Sequence, residues 1–349
     1  MRGGKISVRG EKMIAPALRM IMMGEEKSGI LKRFDGGREE ADIVITKDEL
    51  LKAKGYKSVY VEDEGLIKFI NNYSGKRLDQ KISIVTGSAQ GFGKGIEEEM
   101  IKNGAYVVIA DLNYSLAKSV AEDFCRKYGE GVSIAAEVDV SNEESVRNMI
   151  KQTVDAYGGL DIFVSNAGVL KAGGLEEMDM KSFEFVTRIN YSAYFLCAKY
   201  ASEVMKIQHK YKKDYYTDII QINSKSGLEG SNKNFAYAGG KFGGIGLTQS
   251  FALELVEYNI KVNSICPGNF FDGPLWSDPE KGLFVQYLNA GKVPGAKTVE
   301  DVKRFYESKV PMKRGCECLD VARALFYVVE QQYETGQAIP VTGGQVMLK

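Results

Sequence analysis

The stretch Thr86-Gly87-Ser88-Ala89-Gln90-Gly91-Phe92-Gly93 decides the fold that this sequence predicts. It follows an apolar run at residues 82–85 and precedes a helical pattern at residues 94–103, so it predicts a strand, a glycine-rich turn and a helix. Glycine lets a backbone come close to a pyrophosphate, and a helix N-terminus offers free N–H groups and a positive dipole end. An ordinary strand-to-helix turn can carry the same glycines, so this motif alone leaves both interpretations open.

A second motif, Tyr237-Ala238-Gly239-Gly240-Lys241, places a phenol and an ammonium group one helical turn apart. A free tyrosine has a pKa of about 10 and is a weak base at neutral pH, whereas a neighbouring ammonium favours the phenolate and lowers that pKa. The alternative is a solvent-facing pair, which is frequent in a chain with 19 tyrosines. Together and in this order, the two motifs indicate nicotinamide-dependent oxidation of an alcohol.

Asp111 bears on the choice of nicotinamide cofactor. It ends the second predicted strand, 18 residues after Gly93. A carboxylate there can accept both ribose hydroxyls of NAD and repels the 2′-phosphate of NADP, and Leu112 and Asn113 offer that phosphate no cation. The alternative is a helix cap, since aspartate is common at such junctions. The motif context favours the ribose role, and therefore NAD.

Composition excludes several classes of protein. The 349 residues include 46 acidic and 46 basic side chains, which does not indicate a nucleic-acid or membrane-surface protein. No apolar stretch approaches the roughly 18 residues of a membrane span, and the basic start at residues 1–5 is not followed by an apolar signal core. Five scattered cysteines and a single histidine argue against a disulfide framework or a metal centre, so we expect a reduced, cytoplasmic protein without metal.

The chain divides near Asp79. From Lys81 onward, predicted strands and helices alternate as a doubly wound parallel sheet of the Rossmann type requires. The predicted strands cover residues 82–85, 105–110, 132–138, 160–164, 219–223, 261–266 and 337–341. The predicted helices cover residues 94–103, 115–128, 143–157, 180–206, 236–257, 299–309 and 319–330.

Residues 1–78 are expected to form a small α/β appendage rather than a low-complexity tail. A methionine-rich helical stretch at residues 13–23 should pack in a core. Capping-box spacing at residues 46–49 predicts a helix through Lys54. Residues 58–61 are predicted to form a strand, and residues 66–73 a short helix. The sequence assigns this appendage no role.

The glycine-rich loop resembles that of the short-chain dehydrogenase/reductase family, whose first two glycines are separated by three residues. Asn166-Ala167-Gly168, after the fourth predicted strand, is similar to the family's Asn-Ala-Gly motif. The resemblance implies binding of the adenine edge by Asp139-Val140, and a nicotinamide beside Pro267-Gly268. The cofactor contacts expected on this basis are Gly87, Ser88, Gln90, Gly91, Phe92, Gly93, Asp111, Asp139, Val140, Asn166, Ala167, Gly168, Tyr237, Lys241, Pro267 and Gly268.

The same resemblance implies a catalytic set of Ser224, Tyr237, Lys241 and Asn190. Ser224 lies 13 residues before Tyr237, which is the family's spacing. It would hold the reacting oxygen, while Lys241 would also hold the nicotinamide ribose. Asn190 would kink its helix and carry a water molecule to the lysine. The family also pairs subunits through the tyrosine-bearing helix and the helix before it, which implies a homodimer or homotetramer.

Further segments resemble the family's bacterial dehydrogenases of sugar-alcohol phosphates: residues 220–227, 241–250, 313–316 and 341–347, within a resemblance covering about residues 79–349. This implies NAD-linked interconversion of sorbitol 6-phosphate and fructose 6-phosphate. A substrate phosphate needs cations, for which Lys225 and Lys313 or Arg314 are candidates. Each could equally be a surface cation, and Arg314 a helix-cap partner.

Two departures and two alternatives accompany this expectation. Asn269-Phe270-Phe271-Asp272 stands where family members often place a threonine for the carboxamide, and Thr342 replaces a usual aspartate. We expect residues 270–310 to fold over the substrate, but they carry no readable specificity code. The protein could instead act on another polyol or ketone, or serve as a nucleotide-binding sensor or scaffold with a partner on residues 1–78. The intact catalytic set argues against the sensor.

Overall fold

A computed structural model describes residues 13–280, 282–289 and 291–347. The first twelve residues of the predicted appendage, including its basic start, lie outside the described residues. The N-terminal part consists of one helix and a mixed four-stranded sheet of order β1-β4-β3-β2, in which β4 pairs antiparallel with β1 and β3. These elements are α1 (Ala15–Met23), β1 (Ile30–Phe34), β2 (Ile43–Ile45), β3 (Ser58–Val61) and β4 (Gly65–Ile70).

Two expectations for this part were wrong, and two are confirmed, one of which is the strand predicted at residues 58–61, now β3. The predicted helix at residues 66–73 is strand β4, whose residues pair with a strand on each side and so supply the backbone partners that a helix would supply internally. The helix predicted from the capping-box spacing shrinks to one 3-10 turn at Leu50–Ala53. The methionine-rich stretch does pack in a core, since Met20, Met22 and Met23 are buried.

The rest of the chain builds a seven-stranded parallel sheet of order β11-β10-β9-β8-β5-β6-β7, as predicted. Its central strands are almost entirely buried, which explains their continuous apolar runs. The strands are β5 (Ile82–Thr86), β6 (Tyr106–Asp111), β7 (Ser133–Glu137), β8 (Ile162–Ser165), β9 (Thr217–Ile222), β10 (Ile260–Pro267) and β11 (Ala338–Val341).

Helices cover both faces of this sheet and form one hydrophobic cluster on each side. One cluster contains residues of α2, α3 and α11, and the other contains residues of α4, α6 and α7. The helices are α2 (Gly91–Lys102), α3 (Tyr114–Tyr128), α4 (Glu143–Tyr157), α5 (Met180–Thr187), α6 (Ala193–Tyr211), α7 (Phe235–Leu255), α8 (Pro274–Ser277), α9 (Leu283–Asn289), α10 (Val299–Ser308) and α11 (Cys318–Glu330). In the described part of the chain, no helix is long and apolar enough to cross a bilayer.

The N-terminal part is joined to the large sheet through a buried ion pair. Arg19 of α1 donates two hydrogen bonds, of 2.8 and 2.7 Å, to the Asp161 carboxylate just before β8, and both side chains are fully buried. The Arg19 Nε atom donates to the Gly29 carbonyl, and the Ile82 amide donates to Asp161. Lys81 lies 4.0 Å from the centre of the Tyr215 ring in the same cluster. The amino ends of β5 and β8 are therefore sealed by the N-terminal part.

Candidate active site

A cleft of about 1150 Å³ opens at the opposite, carboxyl end of the sheet. This is the end at which ligands bind in open α/β sheets, because the strand order reverses there and neighbouring loops diverge. Its walls come from residues that follow β5, β6, β7, β8, β9 and β10, and from the segment containing α8 and α9.

The glycine-rich loop has a shape that only glycines permit. Gly87 and Gly91 adopt φ values of +65° and +62°, in the left-handed region that other residues rarely enter. A Cβ atom on Gly87 would lie 2.9 Å from the Ala167 Cα, and one on Gly93 would lie 2.7 Å from the Ser88 Cα. The backbone is therefore free of side chains where helix α2 begins, which suits a pyrophosphate.

The polar residues of the loop divide into two groups. Gln90 lines the cleft beside Gly91, whereas Ser88 is fully buried. The Ser88 hydroxyl donates to the Val85 carbonyl at 2.7 Å and accepts from the Ala110 amide at 3.2 Å. Ser88 thus ties β5 to β6 beneath the loop, and its side chain shapes the site without facing it.

Asp111 lies on the cleft wall at the end of β6. One carboxylate oxygen accepts from the Ala89 amide at 3.1 Å and the other from the Asn113 amide at 2.9 Å. Glu97, which sequence analysis missed, is fully buried nearby on α2. Burial raises the pKa of the Glu97 carboxyl well above its usual range, and the neighbouring Asp111 charge adds to that increase.

The next two strand ends carry the expected polar turns. Asp139 and Val140 line the cleft, where the Asp139 carboxylate accepts from the amide and hydroxyl of Ser141. The Asn166 side-chain amide donates to the carbonyls of Thr86 and Gly87, at 2.8 and 3.1 Å. Asn166 therefore braces β8 against the glycine-rich loop while Ala167 and Gly168 line the cleft.

The structure brings the predicted catalytic side chains together. Ser224 follows β9 and precedes a short 3-10 helix (Lys225–Gly227), and both Ser224 and Tyr237 line the cleft. Lys241 is buried one turn further along α7, with its Nζ atom 5.6 Å from the centre of the Tyr237 ring. That Nζ atom donates to the Ile222 carbonyl at 2.9 Å, which fixes the lysine beneath the tyrosine.

The ionisation of this pair differs from the sequence-based expectation. Burial raises the pKa of Tyr237 above its ordinary value, and the nearby Ser224 side chain lowers it by less. Burial also lowers the pKa of Lys241 to about 8. Burial therefore favours the neutral phenol of Tyr237, which keeps its proton at neutral pH.

Asn190 lies at a local widening of its helix, a π-helical turn over Arg188–Ser192. Its side chain accepts from the Val169 amide at 2.9 Å and donates to the Val169 carbonyl at 2.7 Å. A Cβ atom on Gly168 would lie 3.2 Å from the Asn190 Oδ1 and 3.9 Å from the Lys241 Nζ. The helix is thus irregular at Asn190, as a π-helical turn, and Gly168 leaves room between Asn190 and the lysine.

The nicotinamide side of the cleft contains the predicted Pro267-Gly268 turn. Pro267 is buried at the end of β10, whereas Gly268 lines the cleft. Phe270 stacks on Phe92 of the glycine-rich loop, with ring centres 4.2 Å apart and planes 15° apart. Phe270 thus stands in the segment where a threonine is often found, and its stacking on Phe92 joins the segment at residues 270–310 to the glycine-rich loop.

Only one of the three predicted phosphate-binding cations faces the cleft. Lys225 lines it, immediately after Ser224. Lys313 instead donates to the Ser308 carbonyl at 2.6 Å, and Arg314 forms a two-bond ion pair with Asp320 in the first turn of α11. The structure therefore does not bring Lys313 and Arg314 to the cleft: Lys313 bonds the last residue of α10, and Arg314 bonds the first turn of α11.

Other cleft residues were missed by the sequence analysis. They are the cations Arg188, Lys233 and Lys292 and the aromatic residues Trp276 and Tyr287. No motif marks them, because they come from a helix, a loop and the segment over the cleft. Among the described residues, no group of three or more His, Cys, Asp or Glu side chains could hold a metal ion.

Comparison with known proteins agrees with this geometry. The short chain dehydrogenase family model matches residues 81–276. This chain belongs to the short-chain dehydrogenase/reductase family. Sorbitol-6-phosphate 2-dehydrogenase of Escherichia coli is 36% identical over 269 residues, which cover 76% of this chain and 99% of that enzyme. The crystal structure of sorbitol-6-phosphate 2-dehydrogenase from Erwinia amylovora has 38% identity and a TM-score of 0.69, over 76% of this chain and all of that one.

The family also contains enzymes with unrelated substrates. Trans-4-hydroxycyclohexanecarboxylate dehydrogenase of Sinomonas cyclohexanicum is 28% identical, over 77% of this chain and 94% of that enzyme. The protein is thus an oxidoreductase of a family that uses NAD or NADP. About a quarter of the chain lies outside the matches to these relatives.

Proposed function

We propose that the protein is an NAD-dependent dehydrogenase that interconverts sorbitol 6-phosphate and fructose 6-phosphate at C2. The observation that carries this proposal is Lys225, a cation beside the reacting-oxygen ligand Ser224 on the wall of the cleft. The similarity to two sorbitol-6-phosphate 2-dehydrogenases supports it.

The catalytic roles follow from the positions of three side chains. Tyr237 accepts the proton of the C2 hydroxyl during oxidation and returns it during reduction, while Ser224 holds the same oxygen. The nicotinamide, when bound, supplies the hydride acceptor or donor. Buried Lys241 stabilises the phenolate when it is charged, and it remains beneath the ring because the Ile222 carbonyl holds it. Loss of a C2 hydride and a hydroxyl proton converts the alcohol to a ketone, so the reaction balances.

Asp111 supports NAD rather than NADP. Its two carboxylate oxygens each accept from a backbone amide on the cleft wall, and they retain lone pairs for two ribose hydroxyls. A 2′-phosphate there would meet this negative charge, with Asp139 as the next charged side chain along the sheet edge.

The test is NADH formation across a panel of polyols and polyol phosphates. We expect sorbitol 6-phosphate to be the preferred substrate, and Lys225→Met to raise its Michaelis constant by about one to two orders of magnitude. Activity on unphosphorylated sorbitol should change little in that variant. A free polyol preferred by the unaltered enzyme would contradict the sugar-phosphate assignment and favour the alternative, a dehydrogenase for another polyol or ketone.

We also infer a dimer or tetramer formed through α6 and α7. Phe195 and Phe242 on these helices are nearly half exposed, which favours a covered apolar face. The small residues Gly243 and Gly244 of α7 serve the internal packing, since Cβ atoms there would collide with Tyr191 and Gln221. Light scattering that shows only monomer at micromolar concentration would refute this assembly.

A further inference from the structure

Charges of opposite sign line opposite ends of the cleft. Asp111 and Asp139 follow β6 and β7, whereas Lys225 follows β9. In the strand order, β6 and β9 are three positions apart, or about 14 Å at a strand spacing of about 4.8 Å. The acidic end suits ribose hydroxyls, whereas Lys225 gives the end beside Ser224 a positive charge.

Four cations line the cleft: Lys225, which follows Ser224 directly, and Arg188, Lys233 and Lys292. Lys233 is partly neutralised, because its Nζ atom lies 3.4 Å from the Glu177 carboxylate. Within residues 13–280, 282–289 and 291–347, the other three form no ion pair with an acidic side chain. Three positive charges therefore line the cleft without an ion-pair partner among the described residues.

These cations come from two structural sources. Lys225 and Arg188 belong to the frame of the site, the first after β9 and the second at the start of the π-helical turn that holds Asn190. Lys292 belongs to the segment that covers the cleft. Its Nζ atom lies 4.4 Å from the centre of the Tyr287 ring, which packs against Trp276 and Tyr306. This aromatic cluster positions Lys292 without taking up its hydrogen-bond donors.

The same segment also contains a lysine whose charge has a structural role. Lys303 is bonded to Asp272 at 2.9 Å, so its charge is used within the segment. The unpaired charges at the cleft, in contrast, are available to an anion. A phosphate dianion offers three acceptor oxygens, and charge-assisted bonds from several cations satisfy them better than one lysine can.

We propose that Arg188 and Lys292 bind the substrate phosphate together with Lys225, so that the phosphate joins the frame of the site to the segment above it. This inference rests on the proposed sugar-phosphate function and deepens it. It replaces Lys313 and Arg314 by two residues far apart in the sequence. The phosphate then both anchors the substrate and holds Lys292 and its aromatic cluster over the reacting carbon.

The test compares Arg188→Met and Lys292→Met with a matched control, Lys297→Met. Lys297 is an exposed lysine of the same segment that does not line the cleft. In fructose 6-phosphate reduction, each cleft variant should raise the Michaelis constant by about 10- to 100-fold with a smaller change in kcat. Arg188→Lys and Lys292→Arg should recover part of the loss, and Lys297→Met should match the unaltered enzyme.

A second readout uses inorganic phosphate. It should inhibit competitively against fructose 6-phosphate and raise the Tm of the unaltered protein, and both effects should weaken in Arg188→Met and Lys292→Met. If fructose 6-phosphate is a good substrate but both variants behave like Lys297→Met, this inference fails and the proposed function stands. If the unaltered enzyme does not reduce fructose 6-phosphate, the proposed function fails. The Tm measurement then decides the anion site by itself, since equal shifts in all variants would overturn it.

Discussion

The two ends of the seven-stranded sheet differ in whether their charged side chains are buried in ion pairs or left unpaired beside a cleft. At the amino end, Arg19 and Asp161 are fully buried and bound to each other, and Lys261 and Asp218 form a second buried pair at 2.8 Å. At the carboxyl end, Lys225 faces a cleft without a carboxylate partner among the described residues. Unpaired charges near a surface cleft are available for a ligand, whereas buried charges must be paired to be tolerated. The buried ion pairs therefore stabilise the fold, whereas the unpaired charge at the cleft is available to bind a ligand.

The largest expected effect is the loss of turnover in Tyr237→Phe, at the carboxyl end of the sheet. Removing the proton acceptor should lower kcat by about 10²- to 10⁴-fold, the usual contribution of general acid–base catalysis. NAD binding should persist, because the phenol hydroxyl is not the main anchor of the cofactor. Lys241→Ala should damage both, and calorimetric titration with NAD distinguishes the two variants. Near-normal turnover in Tyr237→Phe would refute the mechanism.

At the amino end, Arg19→Met should reduce the free energy of unfolding by about 3–5 kcal/mol, since it leaves the Asp161 charge buried without its partner. Residual folded enzyme should keep an unchanged Michaelis constant. Arg33→Met is the matched control, because Arg33 belongs to the same N-terminal part and its ion pair with Glu64 is partly exposed, so that its loss should matter little. Denaturant unfolding checks both, and equal losses in the two variants would remove the contrast between buried and exposed pairs.

A smaller effect is expected at the acidic end of the cleft. Asp111→Ala should weaken NAD by about 10- to 100-fold, given that a hydrogen bond to a charged group contributes about 1.5–3 kcal/mol. Discrimination against NADP should fall at the same time, because the repelling charge is gone. Steady-state kinetics with both cofactors measures this. Equal efficiency with NADP in the unaltered enzyme would contradict the role of Asp111.

The mildest test is the pH dependence of the two reaction directions. Since burial raises the pKa of Tyr237, the phenol is protonated at neutral pH and ready to donate in ketone reduction. Oxidation needs the phenolate, so its kcat/KM should rise with pH by up to about tenfold per pH unit below that pKa. The reduction profile should stay flat and then fall at alkaline pH. Profiles with the same slope in both directions would argue against Tyr237 as the shared acid and base.

Much of this arrangement follows from sequence periodicity and spacing. The seven strands of the large sheet, the glycine-rich loop and the positions of Ser224, Tyr237 and Lys241 are local patterns that leave marks in the sequence. The local pattern of residues 66–73 predicts a helix, because the strands that pair with β4 lie elsewhere in the chain. Arg188 and Lys292 were missed because a cleft assembled from distant segments has no spacing rule. Lys313 and Arg314 were candidates by residue type, but in the structure Lys313 donates to the Ser308 carbonyl and Arg314 to the Asp320 carboxylate.

The ion pair between Arg19 and Asp161 has a consequence for synthesis of the chain. Its partners are 142 residues apart, so at about 5–20 residues per second the ribosome needs roughly 7 to 30 s between them. During that interval Arg19 of α1 has no Asp161 carboxylate with which to form its buried ion pair. The junction between the N-terminal part and the large sheet can therefore be completed only after β8 is made, even though much of the core around the α1 methionines comes from residues before β8.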